Sequence, residues 1–184
     1  MKIIGIYGSP RPQSNSRVLV DTVLSAAAEK GAQTETFDLN AMNIKGCQAC
    51  FACHKNPDDY CVQKDDMTAL YKAVAEADAV VIGTPIYMAQ AAAQTILFLN
   101  RLYALMYVTE TGASAFKIDP KKVVTIYAQG APIEDHYSTY FDINDGSFAM
   151  MLNGEIVKRI VCAKEYDDEN LADARETGYL LARS

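Results

Sequence analysis

Residues 1–17 read M-K-I-I-G-I-Y-G-S-P-R-P-Q-S-N-S-R, and this stretch decides the fold. It predicts a short apolar strand, then a loop dense in small polar side chains, then an amphipathic helix that begins near Arg17. The first turn of a helix has free backbone N–H groups and a dipole that favours negative charge, so this loop is suited to hold a phosphate. The candidate phosphate-binding side chains are Ser9, Arg11, Ser14, Asn15 and Ser16.

The kind of phosphate ligand follows from what the loop lacks. No G-x-G-x-x-G dinucleotide pattern follows the strand, and the Gly-Lys-Ser/Thr of a Walker A loop is missing as well. A phosphate held by hydroxyl and amide groups without those glycines indicates a mononucleotide. The alternative is an ordinary strand-to-helix turn in which one Ser or Asn caps the helix.

Length and composition restrict the class of protein. The chain has 184 residues, half of them apolar, which predicts one α/β domain over residues 1–184 with a cysteine-rich loop near residues 44–64. A net charge of −6 argues against a nucleic-acid partner. Polar side chains interrupt the most apolar segment, residues 89–108, and no signal peptide is visible. We therefore expect a cytoplasmic protein that does not span a membrane and whose cysteines are reduced.

Apolar runs alternate with segments of helical spacing along the whole chain. Strands are predicted at residues 2–7, 33–39, 77–83, 121–128 and 155–162. Helices are predicted at residues 17–30, from residue 65, and at residues 89–107, 134–153 and 168–183, with a polar connector at 108–120. The fourth helix is expected to be irregular at Asn144-Asp145-Gly146. This alternation predicts a doubly wound, five-stranded parallel sheet with strand order 2-1-3-4-5 and helices on both faces.

Ligands of such sheets bind beyond the carboxyl ends of the strands, which brings two further loops to the phosphate loop. The loop at residues 84–88 offers flat apolar contacts and backbone N–H groups, as a flavin ring requires. The loop after the fourth strand has a glycine that lets backbone approach a ring closely. A plain turn remains the alternative for each loop. The candidate binding residues are Pro85, Ile86, Tyr87, Met88, Gln129 and Gly130.

The cysteines form the most specific local pattern. Cys47, Cys50, Cys53 and Cys61 follow the spacing C-x2-C-x2-C-x7-C, and four thiolates so placed can hold a four-iron cluster. Structural zinc more often uses two separated C-x2-C pairs, which this pattern does not have. Zinc and unligated thiols are the alternatives to a four-iron cluster. Cys162 lies alone in an apolar strand and is interpreted as a buried thiol of the core.

Three of these segments carry a family resemblance. Gly8-Ser9-Pro10-Arg11 with Ser14-Asn15-Ser16 resembles the phosphate loop of the flavodoxin-like NAD(P)H-dependent FMN reductases. Thr84-Pro85-Ile86-Tyr87 resembles their ring-binding segment, and the cysteine pattern resembles that of the iron–sulfur flavoproteins, a branch of the same family. The resemblance implies a flavodoxin-like fold, non-covalent FMN, NAD(P)H as electron donor, and a homodimer or homotetramer. Ile96 and Asn100 depart from the family pattern in the following helix.

The resemblance also implies a function. The expected activity is FMN-dependent transfer of electrons from NAD(P)H to a quinone, a flavin or another acceptor, small molecule or protein, with electrons leaving singly through the 4Fe–4S cluster if one is bound. No catalytic side chain is expected, and the carboxylate pairs Asp58-Asp59 and Asp65-Asp66 are interpreted as loop charge and helix-start charge. The alternatives are a non-catalytic flavin or Fe–S electron-transfer protein and a structural zinc module.

Overall fold

The structure is a computed structural model that describes residues 1–183. The elements follow one another in the order β1 Lys2–Tyr7, α1 Asn15–Glu29, β2 Gln33–Asp38, α2 Met67–Glu76, β3 Ala79–Tyr87, β4 Gln90–Ala91, α3 Ala93–Leu102, β5 Met106–Val108, β6 Ser114–Phe116, β7 Lys121–Gln129, α4 Ser138–Met151, β8 Gly154–Ala163 and α5 Asp168–Ala182. Short 3-10 helices lie at Ala52–Lys55, Tyr103–Leu105 and Glu134–Tyr137. Within residues 1–183, the helices are all too short or too polar to cross a membrane.

The main sheet has the strand order β2-β1-β3-β7-β8, and every neighbouring pair on this path is parallel. Since β7 and β8 correspond to the fourth and fifth predicted strands, the predicted order 2-1-3-4-5 is confirmed. The short β4 pairs antiparallel with the end of β3 and adds a sixth, two-residue strand. The half-polar β2 lies at one edge of the sheet, as its composition indicates.

Two apolar layers cover the sheet. Ile4 and Val80 pack on one side with residues of α2, α3 and α4, whereas Ile3 and Val81 pack on the other side with residues of α1 and α5. Neighbouring strand residues point to opposite faces, so a continuous apolar run is what a parallel strand between two helical layers requires. The prediction of helices on both faces is therefore confirmed.

Two glycines hold the first loop against the sheet. The amide of Gly8 donates a 2.8 Å hydrogen bond to the carbonyl of Gly83. A Cβ atom at Gly8 would lie 2.0 Å from Oγ1 of Thr95, and one at Gly83 would lie 2.8 Å from the carbonyl oxygen of Ser16. Any larger residue at either position would push the first loop away from the carboxyl edge of the sheet.

The third strand is longer than the sequence suggests. We expected it to end at residue 83 and residues 84–88 to form a loop, but β3 continues to Tyr87 and turns back into β4. The turn residues Met88 and Ala89 have φ values of +49° and +63°. Positive φ at both turn residues is typical of two-residue hairpins whose twist matches that of the strands.

Three further boundaries differ from expectation. The helix predicted at residues 89–107 is only Ala93–Leu102, because its first residues form β4 and its last ones form a 3-10 turn and β5. The connector at 108–120 contains β6, which pairs with β5. The irregular middle expected in the fourth helix is absent, because α4 runs unbroken through Asn144 and Asp145, whose side chains hydrogen-bond to the hydroxyl of Tyr127.

Candidate functional site

The loops that follow β1, β3, β7 and β8 meet around one pocket at the carboxyl edge of the sheet. Its volume is about 300 Å³. It is lined by Ser9, Arg11, Gln13, Ser14, Asn15, Pro85, Ile86, Tyr87, Ala128, Gln129, Gly130 and Lys164. The structure thus brings together nine of the eleven residues that the sequence nominated for cofactor binding. The other two, Ser16 and Met88, lie beside the pocket rather than along its wall.

The phosphate loop is ordered by its own hydroxyl groups. Ser9 is buried, and its Oγ accepts a hydrogen bond from the amide of Arg11 at 3.1 Å. Ser14 is the N-cap of α1, where its Oγ accepts from the amide of Arg17 at 3.3 Å. Ser16 is buried in the first turn, with its Oγ 3.4 Å from that of Ser14. These contacts place the positive end of the α1 dipole and the side chain of Arg11 at the same pocket.

Lys164 is a pocket residue that the sequence analysis missed. It follows β8, has a φ of +66°, and is fixed by two backbone contacts. Its amide donates to the carbonyl of Gln129 at 2.7 Å, and its carbonyl accepts from Nδ2 of Asn15 at 2.8 Å. The pocket lining therefore contains a second cationic residue besides Arg11. Its position directly after the fifth strand was the signal available in the sequence.

The opposite wall of the pocket comes from β3 and β7. Pro85, Ile86 and Tyr87 are its apolar part, and Tyr87 is 38% exposed. Met88 is 94% exposed on the hairpin turn. Gln129 is only 3% exposed; its Nε2 donates to the carbonyl of Ile133, while its Oε1 is buried and has no hydrogen-bond partner in the part of the chain that the structure describes. Since an unpaired buried acceptor is costly, this oxygen fits a ligand that carries an N–H donor, as a flavin ring does.

The four cysteines of the loop line one cavity of about 160 Å³. Cys47 and Cys50 are exposed, Cys53 and Cys61 are half-buried, and all four are free thiols. Within residues 1–183, the side chains of His, Cys, Asp and Glu form no group of three or more already arranged around a metal ion. The donor set nevertheless suits a cluster, because the thiols share a cavity and the amide of Ala49 donates to Sγ of Cys47 at 3.4 Å.

A buried ion pair closes the base of this loop. Arg101, 1% exposed in the last turn of α3, donates through both Nη atoms to the carboxylate of Asp65, whose side chain has no exposed surface. Nη1 also donates to the carbonyl of Lys45 at 2.7 Å, and the Lys45 amide donates to Asp65 at 3.0 Å. Asp65, interpreted as helix-start charge, does accept a hydrogen bond from the amide of Met67 at the start of α2, at 3.2 Å. Its carboxylate is in addition the internal partner of Arg101, which the sequence analysis did not foresee.

The contacts of Arg101 with Asp65 and Lys45, which we call the clamp, determine the protonation of the Asp65 carboxyl. Burial raises the pKa of the Asp65 carboxyl, but the hydrogen bonds from Arg101 and from the amides of Lys45 and Met67 outweigh it and hold that pKa below its ordinary value. A second cation, Lys117, donates through Nζ to the carbonyls of Cys53 and Asp59. Burial raises the pKa of the Cys53 thiol, although the positive charge of Lys117 opposes the shift.

Two further residues lie outside both sites. Cys162 is fully buried, and burial raises the pKa of its thiol to about 11, as expected for a core cysteine. His136 is exposed on the 3-10 helix after β7 and lies outside the pocket lining.

The fold and the pocket define a class of protein: a doubly wound, flavodoxin-like α/β chain with a mononucleotide-sized pocket where the sheet reverses its strand order. Comparison with family models specifies the class further. The model described as NADPH-dependent FMN reductase matches residues 1–133, and the chain belongs to that family. The family resemblance noted in the sequence is thereby confirmed.

Relatives and solved structures support the same assignment. An iron–sulfur flavoprotein of Methanocaldococcus jannaschii is 37% identical over 101 residues, which are 55% of this chain and 51% of that protein. One from Methanosarcina thermophila is 36% identical over 101 residues, which are 55% of this chain and 52% of that protein. These matches span about half the length of the curated relatives.

Among solved structures, an NAD(P)H:quinone oxidoreductase from Methanothermobacter marburgensis superposes with a TM-score of 0.76 at 19% identity, covering 98% of both chains. A flavodoxin from the domain Archaea superposes with a TM-score of 0.59 at 12% identity, covering 100% of this chain and 97% of that one. At these identities the likeness shows the fold, which is flavodoxin-like as predicted.

Proposed function

We propose that this chain binds FMN non-covalently in the pocket at the carboxyl edge and transfers electrons from NAD(P)H to a quinone, a flavin or another small-molecule or protein acceptor. The observation that carries the proposal is the convergence of four segments, remote in sequence, on one pocket. Membership of the FMN reductase family supports the same cofactor. The five free cysteines are consistent with a reducing compartment such as the cytoplasm.

Each wall of the pocket has a separate task in this proposal. Ser9, Ser14 and the first amides of α1 hold the phosphate, and Arg11 and Lys164 neutralise it. Pro85, Ile86 and Tyr87 support one side of the ring, and Gln129 supplies the unpaired acceptor at its edge. FMN, when bound, supplies hydride and electron transfer, so that the side chains need only bind, orient and tune it.

The proposal assigns a four-iron cluster to Cys47, Cys50, Cys53 and Cys61. Their common cavity supports the assignment, as do the amide donated to Cys47 and the presence of Arg101 and Lys117 beside the thiols. The curated relatives above are named iron–sulfur flavoproteins. Zinc at this loop would be colourless and free of sulfide, so analysis for iron and acid-labile sulfide after anaerobic purification distinguishes the two metals.

FMN binding is tested with two serine-to-alanine variants. Ser9→Ala removes a buried hydroxyl that orders the phosphate loop, and we expect its FMN dissociation constant to rise at least tenfold, corresponding to about 1.4 kcal/mol. Ser25→Ala changes an exposed serine of α1 far from the pocket lining and should leave FMN affinity unchanged. Quenching of FMN fluorescence measures both constants. Equal FMN affinities for the two variants would show that the phosphate loop does not bind FMN.

A second candidate is a non-catalytic electron-transfer protein that exchanges electrons only with protein partners. The half-exposed cysteine loop favours it, because a cluster there lies near solvent. Steady-state oxidation of NADH or NADPH with menadione separates the two functions. Sustained turnover by the protein alone supports the reductase. Turnover that is negligible for the protein alone and becomes measurable only when a separate reductase is added supports the carrier.

The proposal includes a homodimer or homotetramer. Ile143 and Met150 of α4 are 65% and 57% exposed, so this helix presents apolar surface that a second copy would cover. Light scattering coupled to size-exclusion chromatography gives the mass of the assembly directly. A single species near the chain mass of 20.2 kDa at micromolar concentration would contradict self-association.

A further inference from the structure

The side chain of Arg101 has one nitrogen atom, Nε, without a hydrogen-bond partner within residues 1–183. Both Nη atoms donate, to Asp65 and to the carbonyl of Lys45, whereas the buried Nε finds no acceptor among the described residues 1–183. An N–H group removed from water without an acceptor is destabilising, so buried donors normally have a partner. Nε is therefore the one nitrogen of this guanidinium, which is 1% exposed, that has no hydrogen-bond partner within residues 1–183.

The orphan donor belongs to a side chain that borders the cysteine cavity. Arg101 lines the same 160 Å³ cavity as the four cysteines of the loop. Burial lowers the pKa of the guanidinium, but the hydrogen bonds to Asp65 outweigh it and raise that pKa, so Arg101 keeps its positive charge. The same cavity is lined by Cys61, whose Sγ is an acceptor suited to an N–H donor.

We propose that Nε–H of Arg101 donates a hydrogen bond to sulfur of the cluster held by Cys47, Cys50, Cys53 and Cys61, while its Nη atoms clamp the two ends of the loop. The inference rests on the proposed cluster and assigns Arg101 two separable roles. The Nη contacts fix Lys45 and Asp65, which flank the cysteines in sequence. The Nε contact acts on the cluster directly, and donors to cluster sulfur raise its reduction potential.

The variant Arg101→Lys separates charge from the hydrogen bond. Lysine keeps the positive charge beside Asp65 but has no atom equivalent to Nε–H, so a pure charge effect predicts no change of potential. Loss of the hydrogen bond instead predicts a more negative midpoint. Near the wild-type midpoint, the ratio of reduced to oxidised cluster should fall about tenfold, equivalent to about 59 mV for one electron.

Asp65→Asn is the matched control for the clamp. It leaves Nε in place but weakens the bidentate contact and removes a negative charge, so the midpoint should move in the positive direction. Both variants are reconstituted anaerobically with iron and sulfide. Iron and FMN content are then measured per chain, and the cluster potential is measured by EPR-monitored redox titration. FMN content at the wild-type level verifies that each variant is folded.

The outcomes separate this inference from the proposed function. A negative shift in Arg101→Lys at wild-type iron content supports the hydrogen bond, as does loss of iron in Arg101→Lys alone. An unchanged cluster potential in Arg101→Lys at wild-type iron content overturns the hydrogen bond and leaves the proposed cluster in place. Equal loss of iron in both variants also overturns the hydrogen bond, because Arg101 would then act only through its Nη contacts with Lys45 and Asp65. Wild-type protein that takes up FMN but no iron overturns the cluster itself and this inference with it.

Discussion

Replacing Arg101 with methionine tests whether the buried ion pair determines the stability of the chain. Methionine has a similar length and fills the apolar part of the site, but it leaves the Asp65 carboxylate buried without its counter-charge. The carboxylate would keep its contacts with the amides of Lys45 and Met67 and lose both contacts from the guanidinium. The loss is therefore one of charge compensation more than of packing.

The magnitude follows from this geometry. Removing one partner of a buried ion pair costs about 3–5 kcal/mol, because a desolvated charge remains uncompensated. With a urea m-value of about 2 kcal/mol/M, the unfolding midpoint should fall by about 1.5–2.5 M. Replacing both residues, as in Arg101→Met with Asp65→Leu, should recover most of this loss, since an apolar pair of similar volume is often as stable as a buried ion pair.

The assay is equilibrium urea unfolding of the metal-free, FMN-free chain at pH 7, followed by far-UV circular dichroism. Arg175→Met is the control, because Arg175 forms an exposed ion pair with Glu29 whose loss should leave the midpoint almost unchanged. If Arg101→Met and Arg175→Met shifted the midpoint equally, the pair with Asp65 would not be the stabilising contact inferred here.

The pH dependence of the same variant has a definite sign. In the wild type the pKa of Asp65 is depressed, so its contribution to stability is present above the unfolded value near 3.9 and is lost as pH falls through the lower folded value. In Arg101→Met, burial is no longer opposed by the guanidinium, and protonation of Asp65 relieves the penalty. The stability difference between wild type and variant should therefore narrow from pH 7 to pH 4, and a constant or widening gap would contradict this account.

Three further outcomes are expected. Lys164→Gly keeps the positive φ at that position and removes one of the two cations, so FMN should bind roughly tenfold more weakly and with a smaller salt dependence in fluorescence titrations; unchanged affinity would place the ammonium outside the site. In the metal-free protein at pH 8, a thiol-specific dye should label four cysteines within minutes and Cys162 only on unfolding, since its pKa is about 11 and it is buried; five fast thiols would refute its core position. Gly8→Ala should destabilise the chain by about 1–3 kcal/mol in urea unfolding, because the added Cβ would overlap Thr95. Wild-type stability would contradict this, because the first loop could then move away from Thr95 without loss of free energy.

The order of the sheet was accessible from the sequence, but the turns were not. Apolar runs separated by helical spacing have essentially one doubly wound solution, and β1, β3 and β7 were recognisable from them. The β3–β4 hairpin was missed because Met88 and Ala89 adopt positive φ without a glycine or asparagine to signal it. Asn144 and Asp145 suggested a break in the fourth helix, but their partner Tyr127 lies on another element.

The same distinction holds at the two sites. Loop residues at the ends of strands were predictable, because the topology brings such loops together whatever their side chains. Lys164 is held at the pocket by contacts of its backbone with Asn15 and Gln129. These contacts join residues far apart in sequence, so no local sequence pattern predicts them. The Arg101–Asp65 pair joins residues 36 positions apart, and a charged side chain on an amphipathic helix is by default expected at the solvent face.

Helix α3 connects the two sites and explains why both occur in one small chain. Near its start, Oγ1 of Thr95 donates to Oγ1 of Thr84, directly before the pocket wall at Pro85, and limits the space beside Gly8. At its end, Arg101 closes the cysteine loop. Six residues separate the two contacts, about 9 Å along a helix axis. One helix therefore contacts both the phosphate-loop side of the pocket and the cysteine loop.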